Sequence, residues 1–439
     1  MTRLVLAAAA AVVLVPGRAA AQAATPQRLT LAGAVERATQ SAPGVETARY
    51  AADEAHARVG EARARLLPSI SLNGTWLNRS EDLASFGLSV PGIPGFIQPF
   101  NNYDARIELM QSVFDWSSIQ HLRAEQFLTV GSSAYRAAAS QEAARAAALA
   151  YLRAVRSASL LSARQADADI AAQLLSLAEA QLAAGVSAPL DVTRARTQLV
   201  AAQGALLVAR NQRQKADIDL ALALGADAGT TYVLADTLTG DLGGSSAPAD
   251  TSAALALALD RRADLAAETA TGDRARAERR AIAAERLPRV GLEADYGPNG
   301  MTVPSTRLTQ DVALVVSVPL LDGFRREARS SEQQAVEQES HVRESDLRRR
   351  IAAEVRTALL DLGSGVEQHA VAAQRLALAG EELDEARERF ASGVAGNIDV
   401  INAQSSLNLA RDAEIDSRFT TAAARVSLAF AAGVAETIH

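Results

Sequence analysis

The chain has 439 residues, a formal net charge of −7 and no cysteine. An acidic chain is a poor partner for nucleic acid, because phosphate contacts need clustered Lys and Arg. A chain without cysteine folds without disulfides and offers no thiol for a lipid anchor, and an aromatic content of 4% suits long helices packed through small side chains.

The N-terminal segment predicts a signal peptide over residues 1–21. Arg3 supplies the positive start, Leu4 to Val15 is an apolar run of twelve residues, and small residues precede Gln22. Twelve apolar residues are fewer than the roughly 20 that span a bilayer, so a short anchor helix is the less favoured alternative. We therefore expect a protein exported across the inner membrane.

Residues 22–224 are expected to form a first structural repeat that begins with two helices and two amphipathic strands. In each strand apolar and polar residues alternate, which places them on opposite faces. The expected elements are helices from Thr30 to Ser41 and from Val45 to Leu66, strands at about 68–79 and 103–114, and a loop from Leu83 to Phe100.

A long helical hairpin completes this repeat. The pattern is helical from Asp115 to about Ala184, without proline, and again from Leu190 to about Leu224, with the tip at residues 185–190. The first of these helices is on the order of 100 Å long at 1.5 Å per residue, far beyond the usual globular helix. Such lengths predict coiled-coil pairing or a helical tube.

The same order of elements returns in residues 252–439, after a linker or equatorial segment at residues 225–251. Strands are expected at about 288–297 and 306–320, and the second hairpin has its tip at residues 392–398. Three motifs occur in both repeats, at offsets between 207 and 220 positions. These offsets indicate a tandem duplication of a unit of roughly 210 residues. The motif pairs are Leu67-Pro68 with Leu287-Pro288, Phe114-Asp115 with Leu321-Asp322, and Gly185-Val186 with Gly393-Val394.

The four strands of the chain require several copies if they cross a membrane. An open sheet cannot lie in lipid, because its edge N–H and C=O groups would be unpaired, and bacterial outer-membrane barrels have at least eight strands. Three chains would give twelve strands and a wide conduit, whereas two would give eight strands around a lumen filled with side chains. The edge of a soluble β-sandwich is the alternative, and the strand lengths and the export signal argue against it.

In this order of elements the chain resembles the TolC family of outer-membrane efflux proteins. The segment Val312 to Gly323 is similar to that family's last strand and its turn into the long helix. Gly393-Val394 followed by Ile398-Asp399-Val400 is similar to its periplasmic hairpin tip. The resemblance implies an internally duplicated α+β membrane protein. Long α-helical coiled-coil hairpins would form a periplasmic α-barrel, and four amphipathic β-strands per chain would contribute to a 12-stranded trimeric outer-membrane β-barrel.

The resemblance also implies the function and the partners. A homotrimer in the outer membrane of a Gram-negative bacterium, with most of the chain in the periplasm, would be the passive export duct of a tripartite efflux pump or a type I secretion system. A periplasmic adaptor (membrane fusion) protein and an inner-membrane transporter of the RND, ABC or MFS type would open its tip. Outer-membrane lipid would surround the barrel, and no nucleic acid is expected. The alternative is a periplasmic coiled-coil scaffold or adhesin without a pore.

The hairpin tips, Gly185-Val186 and Gly393-Val394, are the adaptor contacts that the resemblance implies. A helix break in which glycine supplies a positive φ accounts for the same glycines. The two interpretations do not exclude each other.

Asp399 is the main candidate for a pore constriction, together with Asn402, Asp191 and Phe390. A residue that faces a threefold axis meets two copies of itself, so three Asp399 carboxylates would attract cations. The plainer alternative is an acid that favours the first turn of a helix. The family's second constriction acid corresponds to Asn402, its tip tyrosine to Phe390 and its tip arginine to Ala395, so its closing network would be mostly absent.

No cofactor, metal site or catalytic group is expected. The five histidines are scattered without the spacing of metal ligands. No glycine-rich phosphate loop is followed by lysine. We therefore predict a protein that is not an enzyme.

Overall fold

The computed structural model describes residues 27–87, 91–92, 94–238, 242–392, 394 and 396–439. The predicted signal peptide of residues 1–21 lies outside the described residues, and so do the tip residues Gly393 and Ala395.

Long helices make up most of the described chain, and their ends lie close to those predicted. Pro43 and Pro189 occupy the first position of a helix, where no backbone N–H is needed. The Asp115 carboxylate accepts from the Ser118 N–H at 3.2 Å and so caps the longest helix. The helices are α1 (Leu31–Ser41), α2 (Pro43–Ala64), α3 (Trp116–Ala183), α4 (Pro189–Ala223), α5 (Thr251–Arg261), α6 (Ala263–Ala284), α7 (Arg325–Ala391) and α8 (Asn397–Ala431).

The strands in the described part of the chain form two sheets. A short parallel pair joins β1 to β4, and the other four strands form one antiparallel sheet in the order β2-β3-β5-β6. The strands β2 and β6 are therefore the two edges of the larger sheet. The bounds are β1 (Gln27–Leu29), β2 (Ser69–Asp82), β3 (Phe96–Phe114), β4 (Tyr232–Leu234), β5 (Arg289–Gly300) and β6 (Arg307–Ser317).

The first β-hairpin is longer than the sequence pattern predicted. The loop expected from Leu83 to Phe100 is shorter, because β3 already begins at Phe96, which pairs with Asp82 beyond a bulge. The last strand is shorter than expected and ends at Ser317. Pro319 explains the early end, because proline has no N–H for the strand ladder.

The segment predicted as a linker, residues 225–251, takes part in the core through the pairing of β4 with β1. The hydroxyl of Tyr151 on α3 lies 2.9 Å from the Leu29 backbone oxygen and 2.8 Å from Oδ2 of Asp236. Burial and the Asp236 carboxylate raise the pKa of Tyr151, so its hydroxyl remains a proton donor. This contact fixes the segment against α3.

The core of the helical body is packed through small side chains. Ala144, Ala147 and Ala148 on α3 are fully buried in the same cluster as Leu152 and Val426. The distance between packed helices depends on the side chains at the contact, so alanine allows close approach. This packing accounts for the abundance of alanine and the scarcity of aromatic residues. No described helix is both long and apolar enough to span a membrane.

Candidate functional site at the hairpin tips

The first tip, between α3 and α4, closes through a glycine with a left-handed backbone. Gly185 has a φ of +74°, a backbone conformation that is unfavourable for residues other than glycine. Its N–H donates to the Leu182 oxygen at 3.0 Å, and the Val186 N–H donates to the Gln181 oxygen at 3.0 Å. These two bonds form the Schellman arrangement that ends many α-helices. Gly185 therefore serves the turn itself.

The second tip, between α7 and α8, repeats one of these bonds. The Val394 N–H donates to the Arg389 oxygen at 3.0 Å, and Arg389 has the same place in α7 that Gln181 has in α3. The backbones of the two tips therefore correspond at the described residues. The role predicted for Gly393 lies outside the described residues and stays a prediction.

Each tip presents two exposed aliphatic side chains, here called the tip aliphatic residues. Val186 and Leu190 are 75% and 54% exposed at the first tip. Val394 and Ile398 are 73% and 45% exposed at the second. A single exposed aliphatic residue is ordinary on a protein surface. The same pair at the same positions of both repeats is the feature that marks these tips as a candidate docking surface.

The Asp191 carboxylate is engaged within its own turn. Its Oδ2 accepts from the Ser187 hydroxyl at 3.1 Å and from the Ala188 N–H at 3.3 Å, and Arg194 lies 3.7 Å away. A carboxylate in this place satisfies the free N–H groups at the start of a helix. In this conformation Asp191 therefore stabilises the start of α4.

Asp399 and Asn402 are both exposed on the first turns of α8. Residues three positions apart lie on the same side of a helix, so the two side chains share one face. Neither side chain has a hydrogen bond or ion pair with another described residue. Of the candidate constriction residues, Asp399 and Asn402 are the ones that no other described residue engages, so they could meet symmetry copies.

Phe390, by contrast, is buried beneath the tip. Its side chain is 4% exposed and belongs to one apolar cluster with Leu383 and Val400. Its backbone oxygen accepts from Nε2 of Gln181 at 3.2 Å. In this conformation Phe390 packs α7 against α8 and does not present its ring on the face of Asp399.

One contact that the sequence analysis missed joins the two tips. Asn397 is 1% exposed, and its Nδ2 donates to the backbone oxygen of Asp191 at 2.9 Å. Its Oδ1 is buried without a hydrogen-bond partner. The partners are separated by 206 positions, so local spacing could not reveal the contact.

Further from the tips, partly buried ion pairs attach α8 to α3. Asp167 is 3% exposed and accepts from Arg164 and from Arg411, each at 2.7 Å. Arg164 also pairs with Asp412 on α8. Hydrogen bonds between charged groups are stronger than the neutral bonds at the tips. The tips are therefore the weaker part of the attachment between the two repeats.

The arrangement offers no obvious chemistry of its own. Within the described ranges, no three His, Cys, Asp or Glu side chains are grouped so that they could hold a metal ion. The features of the tips are turns, exposed aliphatic residues and a free carboxylate, which suit contact with other polypeptides and with ions.

Comparison with known proteins bears on both repeats. The family described as outer membrane efflux protein matches residues 34–226 and 254–434. No curated protein matches the chain.

Several solved structures share the fold. A membrane protein from Pseudomonas aeruginosa superposes with a TM-score of 0.80 at 20% identity, over 92% of this chain and 93% of that one. The CmeC outer membrane channel of Campylobacter jejuni gives a TM-score of 0.79 at 15% identity, over 92% and 86%. The outer membrane protein VceC of Vibrio cholerae gives 0.75 at 18% identity, over 92% and 96%.

Proposed function

The chain belongs to the outer membrane efflux protein family, and we propose that three copies of it form the passive duct of a tripartite efflux pump or of a type I secretion system. The long helices form a tunnel in the periplasm, and the four strands of each copy contribute to a barrel in the outer membrane. An inner-membrane transporter supplies the energy, and it opens the tips together with a periplasmic adaptor.

The open four-stranded sheet is the observation that carries this proposal. Neither of its edge strands has a further strand partner among the described residues, and every residue of β6 is exposed. Unpaired backbone groups cannot lie in lipid, so a membrane sheet must close on itself. Four strands are too few to close alone, and three copies give a twelve-stranded barrel. A periplasmic scaffold or adhesin without a pore, the alternative function, has no need of such a sheet.

The two faces of the sheet differ as a water-filled barrel requires. One face carries Arg106, whose guanidinium lies 2.8 Å from Asp104 and 2.5 Å from Asp295. Such charged groups fit an aqueous lumen, and charges facing lipid are costly. The opposite face carries the aliphatic side chains that we assign to lipid: Ile70, Leu72, Leu109, Leu292, Leu314 and Val316.

At the other end of the duct, we assign the tip aliphatic residues to adaptor contact. Val186 and Val394 stand at the outermost turns and are the most exposed apolar residues there. An apolar surface that becomes covered on binding contributes about 25 cal/mol per Å². The matched pairs on the two repeats give each protomer two similar docking places, so a trimer would offer six.

We assign the constriction to Asp399, with Asn402 beside it. A threefold axis would bring three Asp399 carboxylates together if this face lines the pore, and the side chain is exposed and has no partner among the described residues. Asp191 contributes to the stability of the turn, and Phe390 contributes to the packing beneath it.

Purified protein in planar lipid bilayers tests the proposal. A duct gives discrete ion currents that increase when the tip contacts are weakened. A scaffold or adhesin gives no currents, even when folded oligomers are inserted from detergent, and that result would refute the assignment.

A further inference from the structure

The two edge strands of the protomer are suited to pair with each other across copies. Neighbouring strands in the order β2-β3-β5-β6 are all antiparallel, so β2 and β6 also run in opposite directions. The strand β6 of one copy would therefore meet β2 of the next copy in the antiparallel sense that β3 and β5 show within the chain.

The duplication relates the hairpin of β2 and β3 to the hairpin of β5 and β6, residue by residue. In the first hairpin Ser69 pairs with Met110, and in the second Arg289 pairs with Ser317. These positions correspond at offsets of 220 for the first strand and 207 for the second. The pairs Gly74–Ala105 and Ala294–Val312 correspond at the same offsets, so the two hairpins have one register.

The pairing of β3 with β5 joins the two repeats inside the chain, and it gives the register in which β6 of one copy would pair with β2 of the next. Within the chain, Asp104 on β3 pairs with Asn299 on β5, and Glu108 pairs with Asp295. Applying the two offsets, we propose that β6 pairs with β2 of a second copy so that Asp311 lies opposite Arg79 of the partner subunit and Val315 lies opposite Thr75 of the partner subunit. The proposal deepens the proposed function and rests on it, because it assumes that the copies close a barrel.

The two faces of the sheet agree with this register. Thr75 lies on the polar face of β2, and Val315 is on the face of β6 that also bears Asp311. On the other face, Leu314 comes opposite Trp76 of the partner subunit, which keeps apolar side chains together. A shift by a single residue would place the polar face of one strand beside the apolar face of the other, so it is excluded.

Charge discriminates against shifts of two residues, which would preserve the faces. A shift in one direction sets Glu81 opposite Asp311, two like charges, and such pairs destabilise a sheet. A shift in the other direction sets Leu77 opposite Asp311. The proposed register alone places the cation Arg79 there.

The charged groups around Asp311 and Arg79 are compatible with an ion pair between two copies. The Asp311 carboxylate is 79% exposed and lies 3.7 Å from Arg106 of its own copy. Arg79 is 50% exposed and lies 3.1 Å from Glu81 on its own strand. Within the chain the corresponding pair is already bonded, since Asn299 Nδ2 donates to Asp104 Oδ2 at 2.7 Å. The ion pairs around Arg106 would thus continue from one copy to the next around the lumen.

Cysteine cross-linking in the full chain tests the register, because the native sequence has no cysteine. The variant Thr75→Cys with Val315→Cys places the two thiols on directly opposed residues, whose Cα atoms are about 4.5–5.5 Å apart, within the range of a disulfide. The matched controls are Thr75→Cys with Ala313→Cys and Thr75→Cys with Ser317→Cys. Each control would be directly opposed only if the register were shifted by two residues.

After oxidation of outer membranes, we expect covalent trimers from the Thr75/Val315 variant on non-reducing denaturing gels and little product from either control. Efficient cross-linking of a control instead would overturn the register and leave the trimeric barrel standing. If native mass measurement shows trimers but no variant forms cross-links, the register is likewise wrong and the trimeric barrel still stands. If no variant and no native measurement shows a trimer, the proposed function itself fails and this inference fails with it.

Exchange of the two charges provides an independent measurement. Arg79→Asp and Asp311→Arg, made singly, should each lower the temperature at which trimers dissociate in detergent. The double variant restores the opposite charges across the contact and should recover part of the loss, because the pairs with Arg106 and Glu81 inside each copy stay broken. Losses that simply add in the double variant would contradict the proposed contact.

Discussion

The Asn397 side chain donates a hydrogen bond to the backbone oxygen of Asp191 at 2.9 Å, and so joins the start of α8 to the start of α4. The contact is neutral and lies at the outer end of the hairpins, whereas the partly buried Asp167–Arg411 ion pair joins α3 to α8 further from the tips. We regard this contact as the first that must break when the tips separate.

Asn397→Ala should therefore make the closed duct leakier. Loss of one neutral hydrogen bond weakens the contact between the tips by about 1 kcal/mol. Removal of the unpartnered Oδ1 offsets part of this loss. The basal current in planar bilayers should rise. Ser392→Ala is the matched control, since the Ser392 hydroxyl donates to the Glu388 and Arg389 carbonyl oxygens of its own helix and to no other described residue. Equal currents in the two variants would show that Asn397 does not hold the tips.

Asp399→Ala should abolish the cation preference of the closed duct. A cation about 6 Å from each carboxylate gains about 2–3 kcal/mol per carboxylate at an effective dielectric near 20, and less in salt. Single-channel reversal potentials in a salt gradient measure the preference, and block by multivalent cations from the periplasmic side should weaken in parallel. Unchanged selectivity would mean that Asp399 only favours the helix start.

Asp191→Ala should have a different effect from Asp399→Ala. The Asp191 carboxylate accepts from Ser187 and Ala188, so its loss should cost about 1 kcal/mol of helix stability. Ion selectivity should remain. Thermal unfolding and reversal potentials, measured on both variants, separate the two roles. Loss of selectivity in Asp191→Ala would place this carboxylate in the pore as well.

Polar replacement of the tip valines should reduce export without loss of trimers. In the double variant Val186→Thr with Val394→Thr, docking would bury two hydroxyls without partners, at roughly 1–3 kcal/mol each. Val186→Ile with Val394→Ile keeps the surface apolar and serves as the control. Export by cells and pull-down of the adaptor are the measurements. Full export by the threonine variant would argue against docking at these residues.

Leu314→Arg should hinder membrane assembly, and Val315→Arg should be tolerated. The two positions lie on opposite faces of β6, and arginine facing lipid at mid-bilayer costs roughly 2–4 kcal/mol. The amount of folded trimer in outer membranes gives the comparison. The reverse result would show that the lipid and lumen faces are exchanged.

The long helices and the four strands of the larger sheet could be predicted from sequence because their signals are local, whereas the short pair of β1 and β4 could not. Pro43, Pro189 and Asp115 mark helix starts, and period-two alternation marks the strands. The contacts of Tyr151 with Asp236 and of Asn397 with Asp191 could not be predicted. Each contact joins segments far apart in the chain through a single polar side chain. The sequence does not distinguish a buried polar residue with a distant partner from one exposed to solvent.

The candidate site was predictable to a similar extent. The turns and the exposure of Val186 and Val394 follow from the motif and its repetition. The different states of Asp191 and Asp399 do not, because both occupy the same position in the first turn of a helix. Asp191 is engaged by the Ser187 hydroxyl, the Ala188 N–H and the nearby Arg194 guanidinium, whereas Asp399 has no hydrogen bond or ion pair with another described residue.

The acid stability of the helical body provides a separate prediction. Burial alone would raise the pKa of Asp264, but the Arg262 guanidinium, 2.6 Å away, lowers it overall. A lowered folded pKa contributes stability that is complete above the unfolded value of about 3.9 and is lost as the pH falls through the folded value. In Asp264→Asn, the free energy of unfolding measured in urea should fall less steeply as the pH drops below about 4. Asp260→Asn, at an exposed site, should not change this slope. Identical acid profiles for wild type and Asp264→Asn would exclude this contribution.

The number of chains in the native particle is the most direct test of the account. Native mass measurement of protein extracted from outer membranes in mild detergent gives that number without assumptions about the partners. We expect three chains per particle, because three copies of the four-stranded sheet give the twelve strands of a wide, closed barrel. A folded particle with one or two chains would contradict it.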